Sequence, residues 1–281
     1  MTDQPTWRQL LDEAATRVGD RLDARRIVER ASGYDSAELT LVLDEHATAL
    51  TQRHFLSMVE RRASGEPLQY VLGRWGFRSL DVYVDARVLI PRPETEIVVE
   101  HALEVIDAMD ARVVVDLGTG SGVIALSLAV ERSRLDVWGT DASSDALDVA
   151  RANLSGIGRA ATRVRLAHGD WFDALSTDLV GGVDVVVSNP PYVAAGDSLP
   201  SEVSDWEPHG ALVAGPTGLE AIEVILRDAP KWLRPHGAVV LEIGETQGPQ
   251  VLELAARTFD SADVRLDLVG RPRVLVARGP G

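Results

Sequence analysis

Val113-Val114-Val115-Asp116-Leu117-Gly118-Thr119-Gly120-Ser121-Gly122-Val123-Ile124-Ala125-Leu126 joins three chain textures in fourteen residues. The β-branched run predicts a buried strand. The alternating glycines allow a sharp backbone turn, and the apolar stretch after them predicts a helix over 121–131. The same alternation continues downstream. Further strands are expected at Val137-Trp138, Val164-Arg165-Leu166, Val183 to Val187 and Ala238 to Leu241. Helices are expected at 94–109, 144–155, 218–230 and 248–258. Continuous apolar strands separated by helices imply a parallel sheet covered on both faces. The last two strands, about 263–269 and 272–278, have only Gly270-Arg271 or so between them. A connection that short cannot cross over, so this pair must be antiparallel.

A Rossmann-like α/β sheet closed by an antiparallel hairpin is the pattern of class I methyltransferases. Upstream, the pattern differs. Residues 1–72 read as a small all-α bundle, with Trp7, Leu10, Leu11, Ala14, Ala15 and Val18 on one helical face. Shorter helices follow around Ile27 and Val28, from Ser36, and from Thr51 to Gly65. Residues 73–92 read as a β-hairpin linker, and residues 93–281 as the catalytic domain. Two closely spaced prolines, Pro91 and Pro93, argue against helix before Glu94.

The glycine-rich turn suits a nucleoside cofactor. Asp141, at the end of the next strand, stands where a carboxylate can accept both ribose hydroxyl protons. The spacing is Gly-x-Gly-x-Gly rather than the Gly-x-Gly-x-x-Gly of a dinucleotide site. Asp116 also puts a negative charge at the mouth of the loop, where it suits the ammonium of a methionine moiety better than a pyrophosphate. Both features favour S-adenosyl-L-methionine over NAD. Gly169-Asp170-Trp171 follows the third strand, where an acid can meet an adenine amino group and an apolar ring can cover the base.

Asn189-Pro190-Pro191-Tyr192 follows the fourth strand, at the edge where open α/β sheets bind ligands. The two prolines stiffen the loop and remove two backbone donors. The Asn189 side-chain oxygen and the Pro190 carbonyl remain as acceptors for both protons of a planar –NH2 group, and Tyr192 can stack on that group. Such a loop suits methyl transfer to an adenine or guanine amino group or to a glutamine amide, and does not choose among them.

The chain resembles the HemK/PrmC family of peptide chain release factor glutamine methyltransferases. The resemblance covers nearly all of it. It rests on Gly65-Glu66-Pro67-Leu68-Gln69-Tyr70-Val71-Leu72-Gly73, Val88-Leu89-Ile90-Pro91-Arg92-Pro93-Glu94-Thr95-Glu96, the loop Asp116 to Gly122, and Asn189-Pro190-Pro191-Tyr192-Val193, in that order. It implies methylation of the glutamine in the Gly-Gly-Gln loop of release factors, with the helical domain recognising the substrate. By the same resemblance Gly118, Thr119, Gly120, Ser121, Gly122, Asp141, Trp171 and Asn189 line the cofactor site. Asn189, Pro190, Pro191 and Tyr192 receive the glutamine, with Asn189 and Pro190 as the catalytic pair. A sister family that methylates a glutamine of a ribosomal protein typically reads Ser-Pro after Ile-Pro-Arg, where this chain has Pro93-Glu94-Thr95-Glu96. Glu94, Thr95 and Glu96 fit a wall of the cofactor cleft and a helix cap equally well.

Charge bears on the rival readings. The net charge is −15, and residues 1–72 alone carry 9 basic and 12 acidic side chains. A nucleic-acid enzyme needs a basic track, which neither part offers, so no direct nucleic-acid partner is expected. A binding module that merely kept the fold would show a damaged loop, and both loops are intact. The six histidines (46, 54, 101, 168, 209 and 236) have no ligand-like spacing, and no metal is expected. Cysteine is absent, so neither a disulfide framework nor a thiol nucleophile is available. Met1 to Thr6 lacks the features of a signal peptide, and no apolar run is long enough to span a bilayer. A cytoplasmic monomer without membrane contact is expected.

Overall fold

The β-branched runs pair into one seven-stranded sheet. The computed structural model describes residues 4–280; the reading of Met1-Thr2-Asp3 as leaderless sequence lies outside them. The chain divides into two compact units, Met1–Arg74 with Ser201–Trp206, and Trp75–Pro200 with Glu207–Gly281.

The first unit contains α1 (Trp7–Val18), α2 (Arg21–Ser32), α3 (Ser36–Val42), α4 (Ala49–Ala63) and α5 (Leu68–Leu72). Their apolar faces meet in a core that includes Trp7, Leu10, Ile27, Leu39, Phe55 and Met58. Thr6, Asp20, Asp35 and Thr48 cap the first four helices by accepting backbone N–H bonds. The fourth helix therefore starts at Ala49 rather than Thr51, because Thr48 is the residue that caps it. The single turn α5 was not expected; five residues are too few to show a helical period.

The second unit opens with a hairpin, β1 (Trp75–Phe77) and β2 (Leu80–Val82), followed by α6 (Pro93–Met109). Arg78 fixes the hairpin. Its guanidinium donates to Glu131 at 2.6 and 2.8 Å, and its backbone N–H donates to Glu96 at 2.9 Å. Helix α6 begins at Pro93, one residue earlier than expected. Proline is tolerated at the first helical position, where its missing N–H has no partner to lose.

Then come β3 (Val113–Leu117), α7 (Val123–Glu131), β4 (Asp136–Asp141), α8 (Ser144–Gly156), β5 (Val164–His168) and β6 (Val183–Ser188). After β6 the chain makes an excursion that periodicity did not reveal. It contains β7 (Val193–Ala194), the single turn α9 (Ser201–Ser204) and β8 (Val213–Gly215), with β7 and β8 paired in parallel. The last elements are α10 (Glu220–Trp232), β9 (Leu233–Glu242), α11 (Gly248–Ala255), β10 (Phe259–Leu266) and β11 (Pro272–Pro280).

The sheet order is β10-β11-β9-β6-β3-β4-β5. Strands β9, β6, β3, β4 and β5 are parallel neighbours, whereas β11 runs antiparallel to both β9 and β10. Strand β10 begins at Phe259, four residues before the expected start. The hairpin turn spans Asp267 to Arg271, where the Asp267 carboxylate accepts from the N–H groups of Val269 and Arg271 at 3.0 and 2.9 Å. From β3 the chain passes to β4 on one side and later to β6 on the other. The crevice between the C-terminal ends of β3 and β6 is thus a topological switch point. Among the described residues no helix is long and apolar enough to cross a membrane.

Candidate active site

At that switch point lies a cavity of about 520 Å³, within the range of small-molecule sites. One end is the glycine-rich turn. Gly118, Gly120 and Gly122 have φ of 67°, 54° and 88°, a left-handed conformation that a side chain resists. Gly118, Thr119, Gly120 and Ser121 line the cavity. Gly122, expected there too, does not. It starts α7, and a Cβ on it would lie 3.2 Å from Leu126 and 3.4 Å from Ala150, so its place is in the packing beneath the loop.

Asp141 lines the cavity. One of its oxygens accepts the Gly120 N–H at 2.8 Å and the other the Ser143 N–H at 2.9 Å. A carboxylate has about four lone-pair positions, so about two remain for a vicinal diol. Burial raises its pKa, and the two N–H donors oppose that rise. Asp170 and Trp171 also line the cavity. Trp171 holds a φ of 43°, unusual for a bulky residue, and a Cβ on Gly118 would lie 3.7 Å from its ring. The ring thus borders the glycine loop and packs partly against the main core.

Asp116 corrects an expectation. It does not stand at the loop's mouth but is completely buried. One oxygen accepts the Thr119 hydroxyl at 2.6 Å and the Ala125 N–H at 3.1 Å, tying the loop to the first turn of α7. Its other oxygen has no hydrogen-bond partner among the described residues. Burial pushes this carboxyl up to about 7 against those two bonds.

Asn189 and Pro191 line the other end of the cavity. Pro190 is buried and does not line it, and Tyr192 lines a second cavity of about 370 Å³. The loop is held from several sides. The Ser188 hydroxyl donates to the Leu117 carbonyl at 2.6 Å, joining the ends of β6 and β3. The Gln247 amide donates to the carbonyls of Tyr192 and Gly218 at 3.1 and 3.0 Å. Gly218, at φ 78°, passes so close that a Cβ would lie 2.6 Å from the Tyr192 carbonyl oxygen.

Three further side chains complete the site: Thr95 of the Val88 to Glu96 motif, and Glu242 and Glu207 from outside the motifs. The Asn189 amide donates to the Thr95 hydroxyl at 3.0 Å, and Thr95 donates to Glu242 at 2.7 Å. The Tyr192 hydroxyl donates to the other Glu242 oxygen at 3.3 Å. Of the Glu94-Thr95-Glu96 triplet, only Thr95 lines the cavity. Glu96 instead takes the Arg78 N–H. Glu242 is fully buried at the end of β9, and burial pushes its carboxyl up to about 7. A lone acid ending the apolar run Ala238-Val239-Val240-Leu241 was the only signal for it in the sequence. Glu207, the third, takes the Ile90 N–H at 3.0 Å and the Arg92 guanidinium, which fixes the Val88 to Arg92 wall.

Residues 6–73 match the PrmC N-terminal domain family, and residues 95–203 match the Methyltransferase small domain family. A release factor glutamine methyltransferase of Xylella fastidiosa is 42% identical over 271 residues, covering 95% of this chain and 96% of its own. Another, from Moorella thermoacetica, is 40% identical over 282 residues, covering 97% of this chain and 98% of its own.

The chain belongs to the release factor glutamine methyltransferase family.

Solved structures agree on the fold. The hMettl16 catalytic domain, in complex with a MAT2A 3′UTR hairpin, superposes with a TM-score of 0.53 at 16% identity, covering 81% of each chain. A 16S rRNA N2 G1207 methyltransferase of T. thermophilus, in complex with AdoMet and guanosine, superposes with a TM-score of 0.52 at 18% identity. That match covers 73% of this chain and 49% of the other. In this member of the release factor glutamine methyltransferase family, a nucleoside-sized cavity has a carboxylate with spare lone pairs at one end. A rigid amide-bearing loop closes the other. A methyl donor and a planar acceptor can therefore meet inside it.

Proposed function

We propose that the chain transfers a methyl group from S-adenosyl-L-methionine to the side-chain amide nitrogen of the glutamine in the Gly-Gly-Gln loop of peptide chain release factors. The observation that carries this is the single cavity shared by the glycine loop, Asp141 and Trp171 at one end and by Asn189 and Pro191 at the other. Bound S-adenosyl-L-methionine supplies an electrophilic methyl on a sulfonium. Gly118, Thr119, Gly120 and Ser121 cradle it, Asp141 takes the ribose hydroxyls, and Trp171 covers the base.

An amide nitrogen is a poor nucleophile because its lone pair is delocalised into the carbonyl. The Asn189 oxygen and the Pro190 carbonyl accept its two N–H bonds and direct the nitrogen along the line of displacement. They also favour the positive charge that develops there as the sulfonium–methyl bond breaks to leave the neutral thioether, and one N–H proton then leaves to solvent. Pro190 acts through its backbone, so its buried ring does not oppose this role. Tyr192, which lines the neighbouring cavity, stacks on the amide plane only where the acceptor extends into that cavity. The unit formed by residues 1–74 docks the protein substrate, because one loop glutamine offers few contacts of its own.

The test is incubation with labelled S-adenosyl-L-methionine and three acceptors: a release factor, a ribosomal protein and nucleic acid. Label is expected in the release factor alone, and lost when the Gly-Gly-Gln glutamine is replaced by alanine. Label in the ribosomal protein or nucleic acid instead would overturn the assignment.

A further inference from the structure

Resting on the acceptor reading above, we propose that Thr95 and Glu242 are positioning residues that fix which end of the Asn189 amide faces the substrate. An asparagine amide can present either its oxygen or its –NH2, and only the oxygen can accept a proton from a glutamine amide. The loop prolines do not settle that choice, because they constrain the backbone and not the side-chain flip.

A chain of three hydrogen bonds settles it. Glu242 is fully buried at the end of β9 and, when ionised, can only accept. It takes the single proton of the Thr95 hydroxyl at 2.7 Å. The Thr95 oxygen has then no proton left to give and can only accept from Asn189, whose –NH2 donates to it at 3.0 Å. With its nitrogen engaged there, Asn189 must offer its oxygen elsewhere, and Asn189 and Thr95 both line the cavity. The opposite orientation would set two acceptor oxygens against each other inside a largely buried site, which costs free energy. The second Glu242 oxygen holds the Tyr192 hydroxyl at 3.3 Å, so one carboxylate anchors both the orienting and the stacking side chain of the loop.

The test is a mutant cycle on release factor methylation with intact protein. Thr95→Val keeps the shape of the side chain and removes the hydroxyl. We expect kcat to fall by about 10- to 100-fold, with KM for release factor little changed. Thr95→Ser, which keeps the hydroxyl, should restore most of the rate. In an Asn189→Ala background Thr95→Val should change nothing further, because the residue it orients is gone. Two outcomes overturn positioning while leaving the acceptor reading intact. One is wild-type turnover in Thr95→Val where Asn189→Ala is impaired; the other is losses that simply multiply in the double variant. Wild-type turnover in Asn189→Ala overturns the acceptor reading itself, and the positioning role with it.

Discussion

Asn189 and Asp141 divide the work of the cavity at the scale of single side chains. Asn189 orients the acceptor, so its contribution belongs to the transition state. Asn189→Ala is expected to cost about 2–4 kcal/mol of transition-state stabilisation, comparable to the loss of one oxyanion-hole donor. The melting temperature should stay close to wild type, because the side chain lies at the cavity's edge and not in the core. Steady-state kinetics beside a melting curve checks both halves of that statement. Asp141 acts earlier, on cofactor binding. Asp141→Ala should weaken affinity for S-adenosyl-L-methionine by about 10- to 100-fold, the scale of one or two lost hydrogen bonds to a charged group. Calorimetry reads this directly, and unchanged affinity would refute the ribose role.

At the scale of elements, the acceptor loop owes its shape to parts of the chain far away in sequence. Gln247, just before α11, and Gly218, just before α10, both clasp the backbone after Pro191. Gly218 combines a left-handed φ with a close approach to the Tyr192 carbonyl, so no other residue fits without displacing the loop. Gly218→Ala should destabilise the fold by about 1–3 kcal/mol and lower kcat, with cofactor affinity nearly intact. Denaturant unfolding and turnover on one preparation test this. Loss of cofactor affinity instead of rate would show that the strain spreads to the glycine loop. The sequence revealed the Asn-Pro-Pro-Tyr loop but not its clasp. Short strands such as β7 and β8 are too brief to show a period, and single residues such as Gln247 carry no pattern.

For the molecule as a whole, two buried carboxyls link stability to pH. Burial raises Asp116 from 3.8, and Glu242 from 4.5, each to about 7. The folded state therefore holds these protons more tightly than the unfolded chain. The stabilisation is fully present below the ordinary carboxyl values and is lost as pH rises through 7. Asp116→Asn removes one of the two linkages. Its stability relative to wild type should improve from pH 5 to about pH 7 and level off above that, as read by melting temperature. Parallel curves would mean that Asp116 titrates normally. The helical unit carries a separate expectation. Removing residues 1–74 should raise KM for intact release factor far more than it changes cofactor affinity, and equal KM would remove its docking role.

The sequence by itself determined the layered α/β sheet, its antiparallel end, the glycine loop and the acceptor loop. Each of these is written in contiguous residues whose period or spacing follows from local backbone chemistry. Only the tertiary structure decided that Asp116 is buried beneath the loop rather than at its mouth, and that Gly122 packs rather than lines. It alone joined Thr95, Asn189, Tyr192 and Glu242 into one hydrogen-bonded chain. Those four come from the first turn of α6, the loop after β6 and the end of β9. Burial and side-chain orientation depend on which strands become neighbours, and a buried carboxylate, once ionised, leaves its partners only one arrangement of protons.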